Sequence, residues 1–133
     1  MRFFLPFVAG AALMLSSVTA GAQAYRADNR LVVTPVGGGS FSVPLGSRFG
    51  ARGTWCAAAD YAARVLGAAG TTRIYVQQPL ARPGKTVVFG TDPGGASPQQ
   101  VLGVTSALRT AGSNLSVDHA IQFCADTRLI RNR

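Results

Sequence analysis

Cysteine, histidine and aspartate residues in the middle and near the end of this chain could carry chemistry. The chain of 133 residues has two cysteines, Cys56 and Cys124, and one histidine, His119. Asp118 and Asp126 lie close to His119 and Cys124 in the sequence. A cysteine is a nucleophile or a metal ligand as a thiolate, and it forms a disulfide when it meets a second thiol under oxidising conditions. These residues therefore allow three hypotheses: a thiol enzyme, a metal site or a structural disulfide.

The thiol-enzyme hypothesis depends on where the helix around Cys56 begins. If Thr54 is the N-cap, Cys56 lies two residues beyond it, where the helix dipole lowers the pKa of a thiol. His119 would then be the base, and Asp118 or Asp126 would orient it. In its order of cysteine, strands and histidine, the chain resembles the papain-like cell-wall amidases and peptidases, whose nucleophile opens a helix. It departs from that family in the residues around the cysteine, and in a histidine that lies in a predicted helix rather than a strand.

The spacing of His119 and Cys124 argues against a metal site. The two residues are five positions apart, whereas side chains that share one helix face are three or four positions apart. The pair would therefore diverge on a helix instead of meeting at one ion. We predict no metal site and no cofactor.

The start of the chain is typical of an export signal. Arg2 precedes an apolar run at 3–15, and small residues follow it. Ala22 and Ala24 fit the positions that a signal peptidase reads for cleavage before Tyr25, and Ala20 and Ala22 fit them for cleavage before Gln23. The apolar run is shorter than the ~20 residues that a membrane-spanning helix needs. We therefore expect residues 1–24 to be a signal peptide.

Export leaves one domain, residues 25–133, and sets its redox environment. The periplasm and the extracellular medium are both oxidising, and two cysteines in such a compartment usually pair. We predict a Cys56–Cys124 disulfide, which would stabilise the fold by roughly 4 kcal/mol through restriction of the unfolded chain. On this interpretation the cysteines are structural, and the protein is not an enzyme.

Two helices must position these cysteines. The first helix, which holds Cys56, is rich in alanine, the residue with the highest helix propensity. Gly67 or Gly70 would end it. Its apolar stripe comprises Trp55, Ala58, Ala59, Ala62 and Leu66. The second helix would begin at Ser116 as N-cap, with Asp118 in the first turn, where the helix dipole favours a negative charge. Both cysteines then lie on inward-facing helix surfaces.

Four segments with β-branched or alternating apolar residues predict two hairpins. The first pairs 31–36 with 41–45, and the second pairs 71–78 with 85–90. The segment 99–109 fits either a helix after Ser97-Pro98 or a strand with period two, and we expect a strand. The predicted fold class is α+β: a small, mostly antiparallel sheet with two helices packed on it and one disulfide.

The charge of the chain is strongly positive. The formal net charge is +8, and loss of Arg2 with the signal peptide leaves +7. Most of the arginines are scattered, but Arg128, Arg131 and Arg133 cluster and form a candidate site for an anion. Aromatic residues do not alternate with the basic ones, which argues against nucleic acid. We expect the partner to be an anionic component of the cell envelope or another protein.

Two stretches also resemble a known family. Residues 54–62, Thr-Trp-Cys-Ala-Ala-Ala-Asp-Tyr-Ala, and residues 115–126, which hold His119 and Cys124, are similar to a family of small secreted proteins of Gram-negative bacteria that has no assigned activity. The resemblance covers most of the exported chain. It implies export and paired cysteines, and it implies nothing about a substrate.

These observations favour an exported, non-catalytic binding or structural protein of the bacterial cell envelope. One alternative is a cysteine-nucleophile cell-wall amidase or peptidase that uses Cys56 and His119. Another is a secreted inhibitor or toxin-like module that binds a protein. The alternatives differ most clearly in the state of the two thiols.

Overall fold

The computed structural model of the protein describes residues 23–45, 49–81 and 85–131. Six strands form one sheet in the order β1-β2-β3-β5-β4-β6, and all neighbouring strands in it are antiparallel. The strands are β1 (Tyr25–Arg26), β2 (Val32–Gly37), β3 (Ser40–Pro44), β4 (Arg73–Gln78), β5 (Thr86–Gly90) and β6 (Asn114–Ser116). The helices are α1 (Gly50–Arg64), α2 (Val104–Ala107), α3 (Val117–Ile121) and α4 (Ala125–Arg131), with one turn of 3-10 helix (Gln122–Cys124) between the last two.

Alternation of apolar and polar residues gives the sheet one buried face. Side chains of a strand point alternately to opposite faces, and the inward set is fully buried: Val33, Phe41, Val43, Ile74, Val76, Val87 and Phe89. Helix α1 covers this face, and its residues 53–62 are all buried. The predicted α+β class, with helices on an antiparallel sheet, is confirmed.

Both predicted hairpins are confirmed. In the first, β2 pairs with β3, with Thr34 opposite Ser42, and in the second, β4 pairs with β5, with Val76 opposite Phe89. The two hairpins join through β3 and β5, where Phe41 lies opposite Phe89. Helix α1 therefore connects two hairpins whose inner strands lie side by side.

The strand predicted at 99–109 is wrong. This segment is irregular up to the short helix α2, with Leu102 90% exposed and Leu108 fully buried. The position beside β4 that such a strand could occupy belongs to β6, which directly precedes the helix predicted to begin after Ser116. The indole of Trp55 donates to the carbonyl of Val104 at 3.3 Å, so α2 is anchored to α1.

Thr54 does not begin α1. The helix starts at Gly50, and the hydroxyl of the fully buried Thr54 donates to the carbonyl of Pro44 at 3.0 Å. A threonine hydroxyl can make either a cap or a tertiary hydrogen bond, and here the end of β3 takes it. At the other end, Gly67 adopts a left-handed conformation (φ +66°) just beyond the helix, as expected of a glycine that ends one.

The opposite face of the sheet carries the polar halves of the strands, and Val32 and Val36 are exposed on it. The register of β2 shifts between Pro35 and Gly37. Because β1 pairs only with Val32 and Val33 of β2, Pro35 and the bulge lie on a stretch that β1 leaves unpaired, where they discourage pairing with a further strand. Among the described residues, no helix is long and apolar enough to cross a membrane.

We expect Phe89→Ala to lower the free energy of unfolding by about 3–5 kcal/mol, because a large buried side chain is removed. Phe89 is fully buried between Phe41 and Trp55, whose ring centroids lie 6.0 and 5.1 Å away. Urea unfolding followed by circular dichroism measures the change. The control Leu102→Ala, at an exposed site, should change stability by less than about 0.5 kcal/mol. Equal effects of the two substitutions would contradict the assigned core.

Candidate functional site

Cys56 and Cys124 form a disulfide, as predicted. Cys56 lies in α1 and Cys124 at the end of the 3-10 turn, with their Cα atoms 5.0 Å apart. The side chains are 0% and 3% exposed. The bond closes a sequence separation of 68 residues, which corresponds to roughly 4 kcal/mol of stabilisation through loss of unfolded-state entropy. Because the chain has two cysteines, this bond uses both thiols.

The alternative catalytic pair is not assembled. Cys56 is the seventh residue of α1, so it lies in the second turn and not at the helix N-terminus, where the dipole acts on a thiol. His119 is exposed, and its ring lies 5.7 Å from that of Phe123. Its backbone N–H donates to the hydroxyl of Ser116, which confirms Ser116 as the N-cap of α3. The structure thus presents no free thiol to the imidazole.

The two aspartates proposed to orient His119 have other contacts. Both carboxylate oxygens of Asp126 accept hydrogen bonds from Arg52, at 2.7 and 3.2 Å, and these bonds raise the pKa of the guanidinium. The same guanidinium lies 4.6 Å above the ring of Phe123. The backbone N–H of Asp118 donates to the carbonyl of Gly70, and its carboxylate packs against that glycine. These contacts hold α3 and α4 against the rest of the domain.

A metal centre has no support within the described part of the chain. No three histidine, cysteine or acidic side chains there lie close enough together to hold an ion. Of the two aspartates near His119 and Cys124, Asp126 is paired with Arg52.

Sequence reasoning did not identify Asp60, a buried carboxylate with three hydrogen-bonding or ionic partners. It is 2% exposed and accepts from the hydroxyl of Tyr25 at 3.2 Å, from the N–H of Asp28 at 2.9 Å and from Arg64 at 2.9 Å. It thereby ties β1 and the turn after it to α1. The sequence signal was available: an aspartate within an alanine-rich helix, with an arginine four residues later.

The cluster predicted from Arg128, Arg131 and Arg133 lies only partly within the described residues. Arg128 is exposed on α4. Arg131 is the last residue of α4, and its side chain lies outside the described structure, as does the whole of Arg133. The cluster therefore stays a prediction.

An open cleft lies beside β6, at one edge of the sheet. Its volume is about 390 Å³. It is lined by Arg73, Pro98, Gln99, Gln100, Val101, Asn114 and Leu115. Sequence reasoning missed this site because its walls come together only when β6 pairs with β4. A scattered arginine gives no sequence signal of such a pairing.

The chain matches no protein-family model, no curated protein and no solved structure. The resemblances to a small secreted family and to the papain-like hydrolases therefore stay predictions.

We expect the double substitution Cys56→Ala and Cys124→Ala to lower the free energy of unfolding by about 4 kcal/mol, because the unfolded chain regains its freedom. Chemical denaturation under non-reducing conditions measures this loss. His119→Ala is the control and should cost less than about 0.5 kcal/mol, since the side chain is exposed. A double variant as stable as the unchanged protein would contradict a structural role of the disulfide.

Alkaline pH should destabilise the contact between β1 and α1. Burial, followed by the neighbouring Asp60, raises the pKa of Tyr25, and burial also raises that of Tyr61. The folded protein therefore holds these protons more tightly than the unfolded chain, whose tyrosines titrate near about pH 10. The stabilisation is fully present below that pH and is lost as the pH rises through the folded pKa values.

Unfolding measured in urea at several pH values checks this expectation. Tyr25→Phe should reduce the decline in stability above about pH 10, because one of the two groups no longer titrates. A decline of the same steepness in the variant would show that Tyr25 has no part in it.

Proposed function

We propose that this protein is exported and acts in the bacterial cell envelope as a non-catalytic binding or structural domain. The observation that carries the proposal is the buried Cys56–Cys124 disulfide. A disulfide of this kind persists in an oxidising compartment, and residues 1–24 have the composition of a signal peptide. The same bond removes both thiols from nucleophilic chemistry, so the most specific enzyme hypothesis loses its nucleophile.

The surface charge supports an anionic partner. All five aspartates lie within the described residues, and two of them, Asp60 and Asp126, are paired with arginines. Six exposed basic residues of the described chain take part in neither ion pair: Arg26, Arg30, Arg73, Lys85, Arg109 and Arg128. Such an excess attracts anions, and the attraction weakens as salt screens it. Anionic polymers and headgroups of the envelope fit this charge.

Incubation of the mature protein with isolated cell-wall and membrane fractions tests both parts of the proposal. We expect the protein to sediment with one of these fractions at low salt and to be released as the salt concentration rises. We expect no soluble wall fragments, whether the disulfide is intact or reduced. Protein that stays in the supernatant at low salt would contradict the binding proposal.

The same assay tests the alternative hypothesis that the protein is a cell-wall hydrolase. Release of wall fragments by the reduced protein, lost on His119→Ala, would establish Cys56 and His119 as a catalytic pair and overturn the non-catalytic proposal. The substitution His119→Gln keeps a polar side chain at this exposed position, and it is compared with His119→Ala as the matched variant. Both substitutions should leave sedimentation with the envelope unchanged.

A further inference from the structure

We propose that the cleft beside β6 binds a short peptide through its free terminal carboxylate, with Arg73 as the residue that contacts the carboxylate. The inference rests on the proposed binding function and gives it a site. The cleft volume of about 390 Å³ lies within the range of about 300–1,000 Å³ that is common for small-ligand sites.

Arg73 is held in one orientation by its neighbour on β6. Its Nε donates to the side-chain oxygen of Asn114 at 2.7 Å, and its Nη2 donates to the backbone carbonyl of the same residue at 3.3 Å. A guanidinium fixed in this way gives up little further freedom when a ligand binds, which favours affinity.

The orientation of Asn114 is in turn determined by two carbonyl groups. Its side-chain nitrogen donates to the carbonyl of Gln99 at 3.2 Å and to that of Gly112 at 3.0 Å. Its amide oxygen is thereby turned toward Arg73. The segment that carries Gln99 is itself tied down, because the N–H of Gln99 donates to the carbonyl of Gly112 at 2.9 Å. The cleft is thus built from connected hydrogen bonds.

The charge of Arg73 has no carboxylate partner within the described chain, where the ion pairs are Arg52–Asp126 and Arg64–Asp60. A guanidinium has five N–H donors, and the two bonds to Asn114 use two of them. The remaining donors suit a carboxylate, whose two oxygens match the fork of arginine.

The other lining residues define the rest of the ligand. Gln99 and Gln100 offer amide groups that can donate to and accept from a peptide bond, while Pro98 and Val101 offer small apolar surfaces. Arg73 is the single basic residue among the lining residues. One positive charge with amides and apolar surface suits a ligand with one carboxylate and a peptide bond. A phosphate polymer would need several cations.

An NMR titration tests the inference. ¹⁵N-labelled mature protein is titrated with N-acetyl-Ala-Ala and, separately, with the same peptide amidated at its C-terminus. With the free peptide, we expect the NMR chemical shifts of four groups to change and to reach saturation: the Arg73 Nε–H and the side-chain amides of Gln99, Gln100 and Asn114. The amidated peptide should bind at least about tenfold more weakly, because a hydrogen bond to a charged group contributes about 1.5–3 kcal/mol.

Arg73→Gln should weaken binding of the free peptide at least about tenfold, and Arg73→Lys should weaken it less, because the charge remains but the fork is lost. The control Arg109→Gln removes an exposed arginine outside the cleft lining and should bind like the unchanged protein. Unaltered spectra of residues distant from the cleft show that each variant is folded, and Arg73→Lys provides the test if Arg73→Gln does not fold.

Equal binding of the free and amidated peptides, or binding that survives Arg73→Gln, would overturn the inference. So would shifts spread evenly over the exposed arginines, which indicate charge attraction without a site. If the peptide fails while the protein still sediments with envelope fractions, the cleft assignment fails and the proposed function stands. If sedimentation also fails, both are wrong.

Discussion

The fold depends on one non-local covalent contact between α1 and the C-terminal helical region. Sequence-local pairing accounts for the two hairpins, but nothing local joins α3 and the 3-10 turn to α1. Cys56 and Cys124 supply that connection inside the core. Ala59, fully buried on α1, is one of the small residues that let another element approach the helix closely. Between the two cysteines lie β4, β5, α2, β6 and α3, so the bond restrains the whole second half of the domain.

The disulfide also decides which chemistry the two cysteines can offer. A thiol that is buried and oxidised is neither a nucleophile nor a metal ligand, and the lone histidine lies at the surface beside Phe123. Several polar side chains of the described chain are held by hydrogen bonds. Arg52 and Arg64 are engaged by aspartates, whereas Arg73 is oriented by an uncharged amide and keeps its charge available. Because its charge is available, Arg73 differs from Arg52 and Arg64 in being able to bind an anionic ligand selectively, as proposed above.

Local patterns in the sequence predict much of this structure. The alanine-rich helix, both hairpins and the Ser116 cap each depend on residues that are neighbours in the chain. The disulfide is predicted from the two cysteines together with the expected export to an oxidising compartment. The failures involve partners that are distant in sequence. Thr54 bonds to the end of β3 instead of capping its helix.

Two further features needed information that the sequence does not carry locally. Three residues of β6 pair with β4 across a separation that no local period reveals. The segment 99–109, whose possible place beside β4 is taken by β6, is irregular chain and a short helix. The cleft around Arg73 exists only because of that β4–β6 pairing. Its arginine therefore could not be told from the other scattered basic residues.

The measurement that tests this account most directly is the intact mass of the protein recovered from the cell envelope or medium. The sample is alkylated under denaturing conditions, with and without prior reduction. The account predicts a mass that corresponds to residues 25–133, no adduct before reduction and two adducts after it. Two adducts without reduction, or a mass that still includes residues 1–24, would contradict an exported domain closed by Cys56–Cys124.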